Sequence, residues 1–105
     1  MTDIRLLLST IDSAEQAGEI AETLVIERLA ACVNILPAIT SVYRWKNQIH
    51  RDPELLLIIK TGADSVDRLI NRLRELHPYE VPEIIALPIE AGLPAYLDWV
   101  REQTS

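Results

Sequence analysis

Apolar residues concentrate in two long stretches that flank a short polar break near the middle of the chain. One stretch runs from Ala31 to Trp45 and the other from Ile49 to Thr61, and both are rich in β-branched, aliphatic and aromatic residues. The break, Lys46-Asn47-Gln48, contains Asn47, a residue that readily adopts a positive φ. The pattern predicts a β-hairpin with a tight turn at this break.

The predicted hairpin is longer than a domain of 105 residues can enclose. At roughly 3.3 Å per residue an arm is about 45 Å long, whereas a compact domain of this size has a diameter of about 33 Å. The hairpin should therefore project and expose apolar side chains, which favours a homo-oligomer that covers them. Pro37 and Pro53 interrupt the two arms and predict a bulge or an edge position.

Two more strands are predicted on either side of the hairpin in the sequence. Ile4 to Thr10 is an almost continuous apolar run, which is typical of a strand in the centre of a sheet. Glu83 to Ile89 is a second apolar run, and Pro82 and Pro88 mark its ends. The sheet is therefore expected to contain four strands.

Three segments carry apolar residues at helical spacing. Ser13, followed by Gln16 three residues later, predicts the start of the first helix. The second helix ends by His77, because Pro78 disfavours helical geometry in the residue before it, and a third helix is predicted from Pro94 to Gln103. The positions predicted to face inward are Ala17, Ile20, Ala21, Leu24 and Val25, then Val66, Leu69, Ile70, Leu73 and Leu76, and finally Tyr96, Leu97, Val100 and Trp99.

The order of these elements predicts the fold class. Strand, helix, long strand, long strand, helix, strand and helix form a βαββαβ arrangement with an added carboxy-terminal helix. This is the α+β class, a ferredoxin-like α/β sandwich, with the long hairpin projecting from it. We expect one domain over residues 1–105, since no linker or low-complexity segment interrupts the chain.

Composition and charge exclude several classes of partner. The net charge is −6 and the sequence pI is about 4.8, so nucleic acid and anionic membranes would repel the chain, whereas cations are suitable ligands. No apolar run is long enough for a membrane helix. The single cysteine, Cys32, cannot form an intramolecular disulfide, which favours a reducing cytoplasm.

The motifs of common enzymes are absent from the sequence. It contains no G-x-G-x-x-G, no P-loop, no G-x-S-x-G and no H-E-x-x-H. Its three glycines are widely spaced, which argues against a phosphate-binding loop, and no nucleophile can be paired with a base. We therefore expect no enzymatic activity.

Candidate ligands concentrate in one segment, His77-Pro78-Tyr79-Glu80-Val81-Pro82-Glu83. Two prolines restrict its backbone, and its histidine, tyrosine and two carboxylates suit metal binding or acid–base chemistry. The alternative is that His77 only caps the preceding helix, whose dipole favours a partly charged imidazole.

Two residues of the hairpin have an ordinary interpretation beside a functional one. Cys32 is either a small buried apolar residue or, if it is exposed, a soft ligand that selects Cu(I). Lys60, at the end of a buried strand, either forms a simple ion pair or meets an anionic ligand.

Several segments occur together in an order that is typical of one protein family. They are Leu29-Ala30-Ala31-Cys32-Val33-Asn34-Ile35, Leu57-Ile58-Ile59-Lys60-Thr61, His77-Pro78-Tyr79-Glu80-Val81-Pro82-Glu83-Ile84, Leu87-Pro88-Ile89 and Tyr96-Leu97-Asp98-Trp99, with Pro37, Ser41, Tyr43, Trp45 and Gly92 between them. In these segments the chain resembles the CutA family of divalent-cation tolerance proteins. The resemblance extends through nearly the whole chain.

The resemblance implies a ferredoxin-like fold similar to that of PII signalling proteins, a homotrimer in the cytoplasm, and a link to copper and other divalent ions. It implies no enzymatic activity. It also implies a cleft between subunits, lined by the residues that match Trp45, Lys60, Tyr79 and Glu83.

The chain departs from the resemblance at two positions that matter for copper. Some copper-linked members have a cysteine at the end of the first strand and a second histidine just before His-Pro-Tyr, where this chain has Ser9 and Leu76. Of that ligand set only His77 is present.

Two functions are consistent with the sequence. The first is a homotrimer that binds copper or another divalent ion, with His77 as the leading ligand and Glu80, Glu83 or an accessible Cys32 assisting. The alternative is a PII-like regulatory or scaffolding trimer that binds a small anion or a protein partner in the cleft between subunits. Lys60 and Tyr79 would matter more than His77 in that case.

Overall fold

Four strands and three helices follow one another in the predicted order in the computed structural model, which describes residues 1–105. The strands are β1 (Ile4–Ile11), β2 (Cys32–Trp45), β3 (Gln48–Gly62) and β4 (Ile85–Pro88). The helices are α1 (Ala14–Ile26), α2 (Val66–Leu76) and α3 (Pro94–Gln103), and a 3₁₀ turn, Ala63–Ser65, precedes α2.

The four strands form one antiparallel sheet in the order β2-β3-β1-β4. β1 lies between two partners, as its continuous apolar sequence predicted. Together with helices after the first and third strands, this order is that of the ferredoxin-like sandwich, so the predicted fold class is confirmed.

Helices α1 and α2 pack on one face of the sheet and form the main core. Leu7 on β1 and Leu57 on β3 are fully buried there against helix residues such as Leu73. Helix α1 begins where the sequence predicted, because the Ser13 hydroxyl accepts a hydrogen bond from the backbone N–H of Gln16 at 3.2 Å.

Helix α3 packs on the opposite face of the sheet. Ile4, three residues before Leu7 on the same strand, points away from the main core and packs against Val100 of α3. The helix covers only this end of the sheet. The rest of the face, which we call the open face, carries the side chains of Leu6, Leu8, Leu36, Leu56, Ile58, Ile85 and Leu87.

The hairpin of β2 and β3 projects beyond the sheet. Pairing between β1 and β3 stops at Ile11 and Leu55, so residues 39–54 pair only with each other. The longest dimension of the protein is 44 Å, against 26 and 23 Å for the other two. The turn has positive φ at both Lys46 and Asn47, which extends the prediction made for Asn47 alone.

The predicted irregularity at Pro37 is a β-bulge. The pairing register shifts between Leu36 and Ile39, and Ala38 between them has a φ of 62°. Because proline has no N–H to donate and β2 is an edge strand, the bulge accommodates Pro37 without breaking the sheet.

Strand β4 is shorter than the sequence predicted, since it begins at Ile85 and not at Glu83. Its pairing with β1 ends at Leu8, and two residues further along β1 the Thr10 carbonyl is hydrogen-bonded to the His77 ring. A side chain therefore occupies the position where the sheet would have continued.

Three positions predicted to face inward are substantially exposed. Val25 lies beside the buried stripe of α1 and is 42% exposed, so its assignment to the core was wrong. In α3 only the stripe containing Val100 reaches the sheet. Tyr96 and Trp99 pack on each other at 5.6 Å between ring centroids and remain about 40% exposed.

Candidate functional site

A cavity of about 940 Å³ lies between the hairpin and the segment that follows α2. Its position results from the projection of the hairpin. Between Leu55 and the turn, β3 pairs with β2 but no longer with β1, so one side of the hairpin has no neighbouring strand. Its walls come from the end of β1, both arms of the hairpin and residues 79–83. The lining residues are Thr10, Asp12, Ser41, Val42, Tyr43, Trp45, Asp52, Pro53, Glu54, Tyr79, Glu80, Val81 and Glu83.

The charge of this cavity has one sign. Asp12, Asp52, Glu54, Glu80 and Glu83 line it, and no lysine or arginine does. Two of these carboxylates accept hydrogen bonds from tyrosines: Tyr79 Oη lies 2.6 Å from Glu54 Oε2, and Tyr43 Oη lies 2.5 Å from Asp52 Oδ2. The cavity is electrostatically suited to cations.

Both tyrosines are held in their protonated form. Burial raises the pKa of Tyr79 well above its usual value, and the hydrogen bond to Glu54 and the charges of Glu54 and Asp12 raise it further. The hydrogen bond to Asp52 is the main cause that raises the pKa of Tyr43. The two phenols therefore serve as hydrogen-bond donors at neutral pH.

His77 ends α2 and lies beside the cavity without lining it. It is 6% exposed, and its Nε2 donates to the Thr10 carbonyl oxygen at 2.8 Å. Its Nδ1 accepts from the backbone N–H of Tyr79 at 3.2 Å, and the two rings meet edge to face at 4.6 Å. Since both ring nitrogens are used, a metal could bind His77 only after one of these hydrogen bonds breaks.

Cys32 and Lys60 lie together on the open face of the sheet. They are register partners, and Lys60 Nζ lies 3.9 Å from Cys32 Sγ. Lys60 also donates to the side-chain oxygen of Asn34. Cys32 is half-buried, which is intermediate between its two predicted states.

The structure brings together only part of each predicted site. Trp45, Tyr79 and Glu83 of the predicted cleft line the cavity, and Lys60 does not. Of the predicted metal ligands, Glu80 lines the cavity, whereas His77 and Cys32 contact different partners. No group of three or more His, Cys, Asp or Glu residues in the chain is placed to hold a metal ion.

The lining residues that were not predicted as site residues include four that carry the cavity's charge or a phenol, namely Asp12, Tyr43, Asp52 and Glu54. Alternation along the hairpin offered a signal for three of them. Asp52 and Glu54 lie on one face of β3, together with His50. In the opposite arm Ser41 pairs with Asp52 and Tyr43 pairs with His50, so these side chains lie on the same face of the hairpin. Asp12 follows β1 and gave no comparable signal.

Comparison with known proteins establishes the family. The sequence pattern of the CutA1 divalent ion tolerance proteins matches residues 5–103. The chain belongs to the CutA1 family. It is 54% identical over 99 residues to the divalent-cation tolerance protein CutA of Thermus thermophilus, and the match covers 94% of this chain and 96% of that protein.

Two further relatives show the range of the CutA1 family. The crystal structure of CutA from Xylella fastidiosa superposes with a TM-score of 0.97 at 44% identity, covering 99% of this chain and all of that one. The rice protein named CutA 1, chloroplastic, is 44% identical over 90% of this chain, but the match spans only 54% of the rice protein. The fold is thus shared closely, while the plant protein contains additional sequence.

The helices α1, α2 and α3 contain 13, 11 and 10 residues. None of them combines the length and the apolar character that crossing a membrane requires.

Proposed function

We propose that this CutA1 protein acts in tolerance of divalent cations as a homotrimer that binds copper or another divalent metal ion. The observation that carries the proposal is the family match. It spans residues 5–103, and the family is that of the CutA1 divalent ion tolerance proteins. The acidic cavity supports it, because five carboxylates without a basic lining residue attract positive charge.

Assembly is supported by the open face and the hairpin. A single chain leaves Ile85 and Leu87 of the open face 50% and 39% exposed, and it leaves Val42 and Ile49 of the hairpin even more accessible. Apolar surface of this extent next to an unpaired edge strand usually marks an interface. The number of three subunits rests on the resemblance to the family.

The trimer is tested with two isoleucine-to-lysine variants. Ile49 in the hairpin is 64% exposed and Ile26 at the end of α1 is 71% exposed, so both tolerate a charge in the isolated subunit. Ile49→Lys should weaken the trimer, because it places a charge in the proposed interface, whereas Ile26→Lys should leave it intact. Native mass spectrometry over a range of protein concentrations measures both. A monomeric wild-type protein would refute the assembly.

A metal site is proposed to need residues from more than one subunit. Within one chain no three ligands converge, but Cys32 faces the open side of the sheet and Glu80 is exposed at the cavity. Thiolate and imidazole ligands favour copper, while carboxylates favour magnesium, calcium and manganese. Copper binding through His77 would require its ring to leave Thr10 or Tyr79.

Native mass spectrometry with Cu(II), Zn(II) and Mg(II) tests metal binding. We expect a fixed number of ions for each trimer, with a loss of uptake in Cys32→Ser or Glu80→Gln. Glu22→Gln on the exposed side of α1 is the matched control, since Glu22 lines no cavity. Uptake that is the same in all three variants would indicate non-specific binding to an acidic protein.

The anion-binding alternative has weaker support from the cavity. Lys60 is the basic residue predicted for that function, and it could join Trp45, Tyr79 and Glu83 only from a neighbouring subunit. An anion would also face five carboxylates. Thermal-shift screening with nucleotides and organic anions tests this alternative, and stabilisation that requires Lys60 would support it.

The proposed location of the protein is the cytoplasm. The proposed function includes no enzymatic activity. The single cysteine, which has no intramolecular partner, suits a reducing compartment. Cell fractionation tests the location, and recovery of the protein from a compartment outside the cytoplasm would contradict it.

A further inference from the structure

Arg44 and Arg51 are exposed basic residues of the projecting hairpin. Arg44 is the register partner of Ile49, and Arg51 lies two residues further along β3, so the three side chains share one face of the hairpin. Neither arginine forms an ion pair within the chain, and Ile49 is 64% exposed. We call these three residues the arginine face. It combines exposed apolar surface with positive charge that the chain itself does not compensate.

The other face of the same hairpin carries negative charge. Asp52 and Glu54 alternate with Arg51 along β3, and both line the cavity described above. That cavity has five carboxylates and no lysine or arginine, and no residue of the arginine face lines it. The hairpin therefore presents opposite charges on its two faces.

This difference between the faces restricts how copies of the chain can pack through the hairpin. In an isologous contact, a two-fold axis brings the same face of each copy together, so like charges would meet. In a heterologous contact, the arginine face of one copy meets the carboxylates of the next, and repetition of that contact can close a ring. Because opposed like charges are unfavourable and opposite charges attract, the hairpin favours the head-to-tail arrangement.

The chemistry of the two faces also suits a contact. Tyr43 and Trp45 line the cavity and are 42% and 39% exposed. A guanidinium group stacks on aromatic rings and forms paired hydrogen bonds with carboxylates. A lysine at Ile49 would add a third positive charge between the two arginines and remove the apolar contact, in agreement with the weaker trimer expected for Ile49→Lys.

We propose that the arginine face of each subunit docks at the acidic cavity of the next, so that Arg44 and Arg51 supply positive charge that the cavity of a single chain lacks. The contact rests on the homotrimer of the proposed function and adds its head-to-tail symmetry and the residues that meet. Two guanidinium groups do not neutralise five carboxylates, so the cavity keeps a negative charge for a divalent cation.

The first test reverses one charge of the arginine face. Arg51→Glu should raise the dissociation constant of the trimer by about tenfold or more, because it places a carboxylate beside those of the next subunit. Arg74→Glu is the matched control, since Arg74 on α2 is also exposed and forms no ion pair, and both substitutions change the net charge equally. Sedimentation equilibrium measures dissociation in metal-free buffer, at a urea concentration that dissociates part of the wild-type trimer.

The second test exchanges the charges of both faces within one chain. Arg44→Glu and Arg51→Glu reverse the arginine face, and Glu80→Arg with Glu83→Arg reverses two exposed carboxylates of the cavity. In a head-to-tail ring the exchanged faces attract each other again, so the fourfold variant should form trimers more tightly than either double variant. In an isologous contact like charges would still meet, and no rescue would occur.

Two outcomes would overturn the inference. One is equal dissociation of the Arg51→Glu and Arg74→Glu trimers, and the other is a fourfold variant that dissociates as readily as both double variants. Either result with a trimeric wild-type protein rejects the head-to-tail contact and leaves the proposed function intact. A monomeric wild-type protein would refute the homotrimer itself, so the two failures are distinguishable.

Discussion

The two faces of the sheet are formed by the same strands, but their side chains are buried to different extents in a single chain. On the face covered by α1 and α2, residues such as Leu7, Leu57 and Leu73 are fully buried. On the open face, Ile85 and Leu87 remain 50% and 39% exposed. The comparison shows that the chain completes one core by itself, and we infer that other copies of the chain complete the second.

The largest expected effect comes from a leucine on each face. Leu73→Ala leaves a cavity in the completed core and should lower the free energy of unfolding by about 2 to 5 kcal/mol. Leu87 is 39% exposed in a single chain, and we propose that assembly buries it, so Leu87→Ala should have an effect that depends on protein concentration. Urea denaturation at two protein concentrations separates these behaviours. A concentration-independent loss in Leu87→Ala would contradict the proposed difference between the faces.

A smaller effect is expected from the histidine that holds the site segment against the sheet. His77→Ala removes the hydrogen bonds to Thr10 and Tyr79 and should lower the free energy of unfolding by about 1 to 3 kcal/mol, without any metal present. His50→Ala is the control, since His50 lies in the projecting hairpin and stacks on Tyr43. Equal stability of His77→Ala and the wild type would show that the segment does not depend on this ring.

The completed core contains one polar atom that offers a gain in stability. Ser9 is fully buried among apolar residues, and its hydroxyl has no hydrogen-bond partner. Ser9→Ala removes this group and should raise the free energy of unfolding by about 1 kcal/mol. Thermal denaturation of the two proteins side by side measures the change. A decrease in stability would show that the hydroxyl makes a stabilising interaction in the folded protein.

The smallest effect concerns the ion pair between Arg101 of α3 and Asp3, which directly precedes β1. Arg101 Nη2 lies 2.6 Å from Asp3 Oδ1, and this hydrogen bond lowers the pKa of Asp3. A lowered pKa contributes stability above the usual pKa of an aspartate, and that contribution is lost as the pH falls through the folded-state pKa. Arg101→Gln should therefore reduce the loss of stability below about pH 4.

Arg74→Gln is the control for this pH dependence, because Arg74 is exposed on α2 and forms no ion pair. Urea denaturation between neutral pH and pH 3 compares the variants. If Arg101→Gln and Arg74→Gln have the same acid profile, the contact between Asp3 and Arg101 does not contribute in solution.

Most of the fold could be predicted because its signals are local. The stripe of α2, the cap at Ser13, the turn at Asn47 and the irregularity at Pro37 each depend on residues close in sequence. The start of β4 could not be predicted in this way. It depends on the contact between His77 and Thr10, which are 67 positions apart.

The candidate site was predicted less completely than the fold. The segment that contains Tyr79, Glu80 and Glu83 was predicted to contribute ligands because its polar residues lie close together in sequence. Glu54 did not, since one acidic residue in a hairpin is ordinary until its burial is known. The hydrogen bonding of His77 also could not be predicted from the sequence. Only the structure shows that both of its ring nitrogens are hydrogen-bonded, so that neither is available to bind a metal.

By itself the sequence determined the order of strands and helices, the long projecting hairpin, the membership in a family and the acidic character of the protein. These properties follow from composition, periodicity and residues that are neighbours along the chain. Only the tertiary structure decided which carboxylates meet in one cavity, that Glu54 is buried without a counter-ion, and that Lys60 lies elsewhere on the sheet. The physical reason is that burial and charge compensation depend on contacts between segments far apart in sequence, which no local pattern records.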